Sequence, residues 1–368
     1  RLHMAVLRLL HVLPTFERGG QQVRLASLIK ALGPDYSHEV ISLSDRCSGR
    51  SLLPDDVPFA VVQAVQSRFF HAGTVRKLRE RLAETDINIL CTYNWGSIEA
   101  VLANRLRAAI PHVHFEDGFT GAGADADLSR RRIYARRLLL NRAHVVTPSH
   151  ALYQIAIRDW RLPDYRLHHI GNGVDTERFQ APSRSQNRSP IVIGTLGRLE
   201  SEKNIARLLR VFRMARREGN IRLEIFGDGQ EKQSLQRLAK NLAIEGDVGF
   251  RGLAEDPAQA LKQIDIYALS SETEQLPMSL LEAMATGLPV VATNVGDVAR
   301  SLPSANQQFV FDRSDEVGFA QGLIELASDP VLRAAIGRDN AKHVRATYPL
   351  QHMVDRYDDL FRSVLSAA

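Results

Sequence analysis

Short apolar runs alternate with amphipathic stretches along the whole chain. Runs of strand length fall at Leu7–Leu13, His38–Leu43, Ile87–Thr92, His112–Phe115 and His144–Thr147. Between the first two, Leu25, Leu28, Ile29 and Leu32 recur at the spacing of one helix face, predicting a helix over 20–32. Strands alternating with helices argue for a parallel, doubly wound sheet.

The alternation pauses near residues 177–190, where Pro182, Ser183, Ser185, Asn187, Ser189 and Pro190 make a polar stretch that reads as a linker. A second series follows, with strand-like runs at Ile191–Leu196, Arg222–Phe226, Val248–Arg251, Asp265–Leu269, Pro289–Ala292 and Gln308–Phe311. Helices are predicted over 204–217, 230–242 and 279–286. Met353, Tyr357, Leu360, Phe361 and Val364 then mark one face of a final helix. The pattern predicts an α/β protein of two domains, 1–176 and 191–349. Paired sheets of this kind place ligand sites at the carboxyl ends of their strands.

Composition narrows this picture only a little. A length of 368 residues suits two domains. The net charge of +5 favours phosphates, nucleic acid or an anionic membrane without choosing among them. Cys47 and Cys91 form no CxxC pair, which excludes the common zinc and redox motifs and suits a reducing compartment. The apolar segment from Ala5 to Pro14 is short and lacks a small-residue cleavage site, so it reads as a buried strand. No run approaches the roughly 20 apolar residues that span a bilayer. The expectation is a soluble cytoplasmic chain, with peripheral membrane contact left open.

Candidate chemistry concentrates between Ser270 and Thr293. Glu274 and Glu282 flank a loop that turns into a helix near Pro277. Ser279 and Glu282 fit a capping box. A helix start offers unpaired N–H groups and a positive dipole end, a cradle for a diphosphate. Most glutamates are solvated, so the pair alone would read as a cap and a surface charge. Upstream, Gly194–Asn204 follows a strand and carries Arg198, a planar fork for phosphate oxygens, and Lys203, a mobile point charge. Phe226-Gly-Asp-Gly229 allows a tight turn, and Gly19-Gly20 allows close backbone approach.

Together these segments resemble glycosyltransferase family 4. The E-x7-E region followed by Glu282-Ala-Met-Ala-Thr-Gly-Leu-Pro-Val-Val-Ala-Thr293 and the Gly197-Arg-Leu…Lys203-Asn204 string are specific, and the resemblance covers nearly the whole chain. It implies a GT-B fold, two Rossmann-like domains facing across a cleft, with the helix over 350–368 rejoining the first. It also implies transfer of a sugar from a UDP- or GDP-sugar, with retention of configuration and no required cofactor or metal. The acceptor would be a carbohydrate or a lipid-linked precursor, and no nucleic acid is expected. By the same resemblance, Arg198 and Lys203 bind the diphosphate, Glu274 the sugar hydroxyls and Glu282 the ribose. Gly19, Gly20, Gly227, Arg251, Gln275, Leu276, Pro277, Met278 and Ser279 complete the donor set, and Gln275 stands where relatives carry Gly. Asp117 stands where they carry a His that touches the sugar, and it joins Glu274, Arg198 and Lys203 as a catalytic candidate. His114 and Glu116, with Tyr93, Asn94 and Trp95 as wall residues suited to stacking on sugars, are the acceptor-side candidates.

The remaining motifs are weaker. Asn172-Gly-Val-Asp175 resembles the family's domain crossover and is also a bare turn signal. Asp125-Ala-Asp127 formally matches a DxD metal motif but follows no strand, so chance explains it better. Basic stretches at Arg130–Arg142 and Arg68–Arg81 could lie on an anionic membrane, or could simply be solvated faces. A rival reading from another class is a catalytically degenerate scaffold of a polysaccharide assembly complex, kept open by Gln275 and Asp117.

Overall fold

A computed structural model describes residues 6–64, 71–84, 86–107, 110–118, 130–182 and 189–366, the side chains of 107 and 130 excepted. The chain divides into two compact units. One comprises residues 1–171 together with 351–368, and the other residues 172–350. Residues 177–190 fall within the second unit by this division.

The first unit is built on seven strands: β1 Leu7–Leu13, β2 Tyr36–Ser42, β3 Phe59–Val61, β4 Ile89–Tyr93, β5 His112–Phe115, β6 His144–Thr147 and β7 Leu167–His169. They lie in the order β3-β2-β1-β4-β5-β6-β7, and every neighbouring pair is parallel. The apolar periodicity anticipates five of these strands. β3 and β7 are edge strands of three residues each, too short to register as a run. Every residue of β4 and β5 is buried. A strand with helices on both faces has no solvent side, so its apolar residues run on without alternation.

The second unit repeats the plan with β8 Ile191–Leu196, β9 Ile221–Phe226, β10 Val248–Gly252, β11 Ile266–Leu269, β12 Val290–Thr293 and β13 Val310–Phe311. Their order is β10-β9-β8-β11-β12-β13, again parallel throughout. Two apolar clusters cover its two faces, one around Leu208, Phe212 and Leu323, the other around Leu280, Met284 and Leu288. In both sheets the winding reverses beside the first strand of the series, between β1 and β4 and between β8 and β11. Ligands in such folds sit outside the carboxyl ends of the strands at this reversal.

The final helix, Leu350–Ser366, belongs from Gln351 onward to the first unit. Its Tyr357 packs on Phe115, with ring centroids 5.7 Å apart, and its Phe361 on Tyr36 at 6.1 Å. Among the described residues no helix is long and apolar enough to cross a membrane.

Candidate donor-side site

The loops after β8 and β11 flank the reversal point of the second sheet and carry the strongest sequence motifs. They are stitched to each other. The Ser270 hydroxyl donates to the carbonyls of Lys203 and Asn204, both at 3.0 Å, and Glu272 N–H donates to the Glu202 carbonyl at 2.7 Å. Asn204 takes a left-handed conformation, and its side chain accepts from Arg207 N–H at 2.9 Å, capping the helix Ile205–Ala215. Its amide also donates to Glu272, which pairs with Arg207. Lys203 is thus held at the end of a capped, braced turn. Its Nζ donates to Glu274 Oε1 at 2.5 Å, and the Ser271 hydroxyl donates to the same oxygen at 2.7 Å. Arg198 lies closer to solvent, its side chain 42% exposed, and reaches Glu202 at 3.3 Å.

The turn after β9 closes the other side. Gly197 N–H donates to the Phe226 carbonyl at 3.0 Å, and Leu199 N–H to that of Asp228 at 2.9 Å. A methyl on Gly227 would stand 1.8 Å from the Gly197 carbonyl oxygen, so only glycine lets the two loops meet. Arg251 keeps its side chain on Glu224, with bonds of 2.6 and 2.9 Å.

The segment after Glu274 is fixed from below. Asn172 Nδ2 donates to the Leu276 carbonyl at 2.6 Å, and Asp297 N–H to that of Gln275 at 2.9 Å. Helix Met278–Ala285 then begins, with Pro277 as its N-cap and no side-chain cap. The expected capping box is therefore not formed. The helix starts one residue earlier than the sequence suggests, which places Ser279 inside its first turn. There Ser279 works against the burial that raises the buried Tyr267 hydroxyl, and the first-turn N–H groups are left without a side-chain cap. Glu282 is buried one turn along. Loss of water pushes its carboxyl up to about 7, with Arg178 a weaker opposing influence. Tyr267 is a site residue that the sequence reading missed. Its hydroxyl donates to the Leu196 carbonyl at 3.3 Å and feels both Glu274 and Glu282. An aromatic in an otherwise aliphatic strand was the available signal.

In the first unit, Gly19 precedes the helix Gly20–Leu32 in extended backbone that any residue adopts. Asp117 is held in place: Arg24 binds both its oxygens, Gln21 binds Oδ2, and its N–H donates to Asn94 Oδ1 at 2.7 Å. Burial works against the Arg24 charge, but Asp117, with Tyr357 and Tyr93, together more than offset it, so the guanidinium stays protonated.

Three acceptor-side expectations need correction. Tyr93 is a core residue, stacked on Phe115 at 4.6 Å with its hydroxyl on His11 at 2.8 Å. His114 is fully buried and bonded to Thr92 at 2.7 Å. Glu116 is also buried. Burial favours its neutral form, but Arg136 at 3.0 Å and His114 hold the carboxyl below its usual range. These side chains point into the protein because β4 and β5 are central strands. Asn94 and Trp95, just beyond β4, are half-buried. Asp125, Asp127 and most of the loop over 118–128 lie outside the described residues.

Residues 161–343 match the family described as Glycosyl transferases group 1, and residues 18–178 match Glycosyltransferase Family 4. The chain belongs to the family 4 glycosyltransferases of GT-B fold. It is similar to the lipopolysaccharide core biosynthesis glycosyltransferase LpsE of Rhizobium meliloti, 28% identical over 197 residues, covering 53% of this chain and 57% of LpsE. It is also similar to a GDP-mannose-dependent monoacylated phosphatidylinositol monomannoside mannosyltransferase of Corynebacterium glutamicum, 29% identical over 216 residues, covering 53% of this chain and 56% of that protein. The chain thus spans little more than half the length of these two relatives. Among solved structures, Anabaena HepE in complex with UDP superposes with a TM-score of 0.82 over 97% of this chain and 100% of that one, at 18% identity. That likeness concerns the fold.

Proposed function

We propose that the protein transfers a sugar from a nucleoside-diphosphate sugar to an acceptor hydroxyl, with retention of configuration. The observation that carries this reading is the convergence of Arg198, Lys203, Glu274 and the uncapped helix start at Met278 on loops braced at the reversal of the second sheet. Bond cleavage leaves growing negative charge on the diphosphate. Arg198, Lys203 and the first-turn N–H groups are the groups available to stabilise it. Lys203 has three donors and can keep Glu274 while meeting a phosphate. Glu274, fixed by Lys203 and Ser271, is placed to accept from sugar hydroxyls, and Glu282 from a ribose diol. In this reading positive side chains and backbone, rather than a metal, carry the leaving group. UDP- and GDP-sugars are both candidate donors. The acceptor is a polysaccharide or lipid-linked precursor, by analogy with the relatives' names.

One observation favours the non-catalytic scaffold reading. Both Asp117 oxygens are already engaged by Arg24 and Gln21. A single experiment separates the two. Thermal shift with UDP, GDP and ADP should show stabilisation by one base, lost in Arg198→Ala and Glu282→Ala. Incubation with the matching nucleotide sugars should then release free sugar slowly. Stabilisation without turnover of any donor or acceptor favours the scaffold, and no stabilisation by any nucleotide sinks the donor assignment.

A further inference from the structure

Helix Arg130–Leu139 buries one arginine and exposes others. Arg136 is wholly buried, 5.0 Å from the Trp95 ring centroid and 4.9 Å from that of Trp160, and paired with Glu116. That contact locks the inner face of the helix. On the opposite face Arg131, Tyr134 and Leu138 fall at i, i+3 and i+7, with Arg137 beside them. Tyr134 and Leu138 are each 65% exposed. The helix contains no acidic residue.

The patch continues beyond this helix. Arg105 Nη1 donates to the Leu138 and Leu139 carbonyls and to Asn141 Oδ1, at 2.6, 3.0 and 2.8 Å. This ties the helix Ile98–Arg107 to the end of Arg130–Leu139. Exposed Arg142 follows, and Arg166 is tied to its carbonyl at 2.5 Å while lying over the ring of Tyr165. Among the described residues Arg131, Arg137 and Arg142 have no carboxylate partner. Arg105 shows the crowding, since burial and then Arg142 lower its hold on a proton. Asp164, two residues before Arg166, accepts from the Tyr153 hydroxyl at 2.9 Å.

We propose that this face of the first unit docks on the surface of an anionic lipid bilayer, with arginines at headgroup phosphates and Tyr134 and Leu138 in the interfacial layer. Uncompensated arginines alone would suit any polyanion. Leucine and tyrosine side chains interleaved with them gain only where an apolar phase lies beneath the charges. The inference deepens the functional reading by naming where a lipid-borne acceptor would be met, but its test needs no turnover.

The test is co-sedimentation of the full chain with vesicles of phosphatidylcholine alone and of an equal mixture with phosphatidylglycerol. Binding is expected to the mixed vesicles only, and to weaken with salt. A triple Arg131→Gln, Arg137→Gln, Arg142→Gln variant should partition on the order of a hundredfold more weakly, each arginine contributing about fivefold. A Tyr134→Ser, Leu138→Ser variant should weaken binding while keeping the charges. All these positions are exposed, so nucleotide-induced thermal shift serves as the control for folding and for the donor site. Equal pelleting with neutral and mixed vesicles, or triple-variant binding equal to wild type, overturns the proposal. So does loss through the arginines with no effect of the Tyr134 and Leu138 changes, which would point to a soluble polyanion. An absent nucleotide shift alongside normal vesicle binding would count against the transferase reading alone.

Discussion

Glu282 shows how one buried carboxyl couples stability to ligand. Its ordinary value is 4.5, and burial moves it to about 7. Below the lower value it is protonated whether the chain is folded or not. Between the two, the folded chain keeps a proton that the unfolded chain releases, so stability falls as pH rises through this window and levels off above about 7. The loss is on the order of 3 kcal/mol at full burial. Glu282→Gln should therefore match wild type in acid and exceed it in thermal stability above neutrality; equal stability at both ends would refute the burial argument. Ligand binding should run the other way. A carboxylate accepts from a ribose diol better than a carboxylic acid does. Uridine or guanosine, which carry no titrating phosphate, should bind more tightly from about pH 6 to about pH 8. Calorimetric titration of the Gln variant should show that dependence gone.

At the scale of elements, the donor-side loops depend on contacts between segments far apart in sequence. Gly296 has φ of +52°, and a methyl there would meet the Glu274 carbonyl at 2.2 Å and that of Gln275 at 2.8 Å. Gly296→Ala should displace the 274–276 loop and lower kcat/KM by about a hundredfold, the cost of misplacing a binding group by an ångström. Gly33→Ala is the comparison: φ is +67° but nothing lies within 4 Å, so it bears strain without collision and should leave turnover intact. An equal effect in both variants would mean that the loop contact is irrelevant to donor binding. These contacts also mark what could be read from sequence. The β8 and β11 loops were legible because strand, turn and helix signals follow one another within a few residues. Gly296 was not, because its constraint comes from a loop some twenty residues back. Nor was the clamp of Arg24 on Asp117, whose partners lie 93 positions apart. Tyr93 was assigned to a wall and His114 to the acceptor side because sequence marks the end of a strand without saying which way its side chains point.

At the scale of the whole molecule, two sheets of matching strand order arise from two stretches of alternating pattern, and the final helix ties the last residues to the first unit. Phe361 is fully buried there. Phe361→Ala should cost about 3–5 kcal/mol. The loss should fall on the first unit, leaving the second able to answer nucleotide in a thermal-shift assay. Unchanged thermal unfolding would mean that the helix is not needed to hold that unit together. The same tie sets an order of assembly. During synthesis, strands β1 to β7 leave the ribosome long before residues 351–366 exist, whereas the second unit has its full complement once residue 350 has emerged. The half that is made first is completed last, with Tyr36 and Phe115 left without their Phe361 and Tyr357 partners until the helix arrives. For that interval, newborn chains carry an unfinished apolar face, and a ribosome-bound chaperone would find its substrate there.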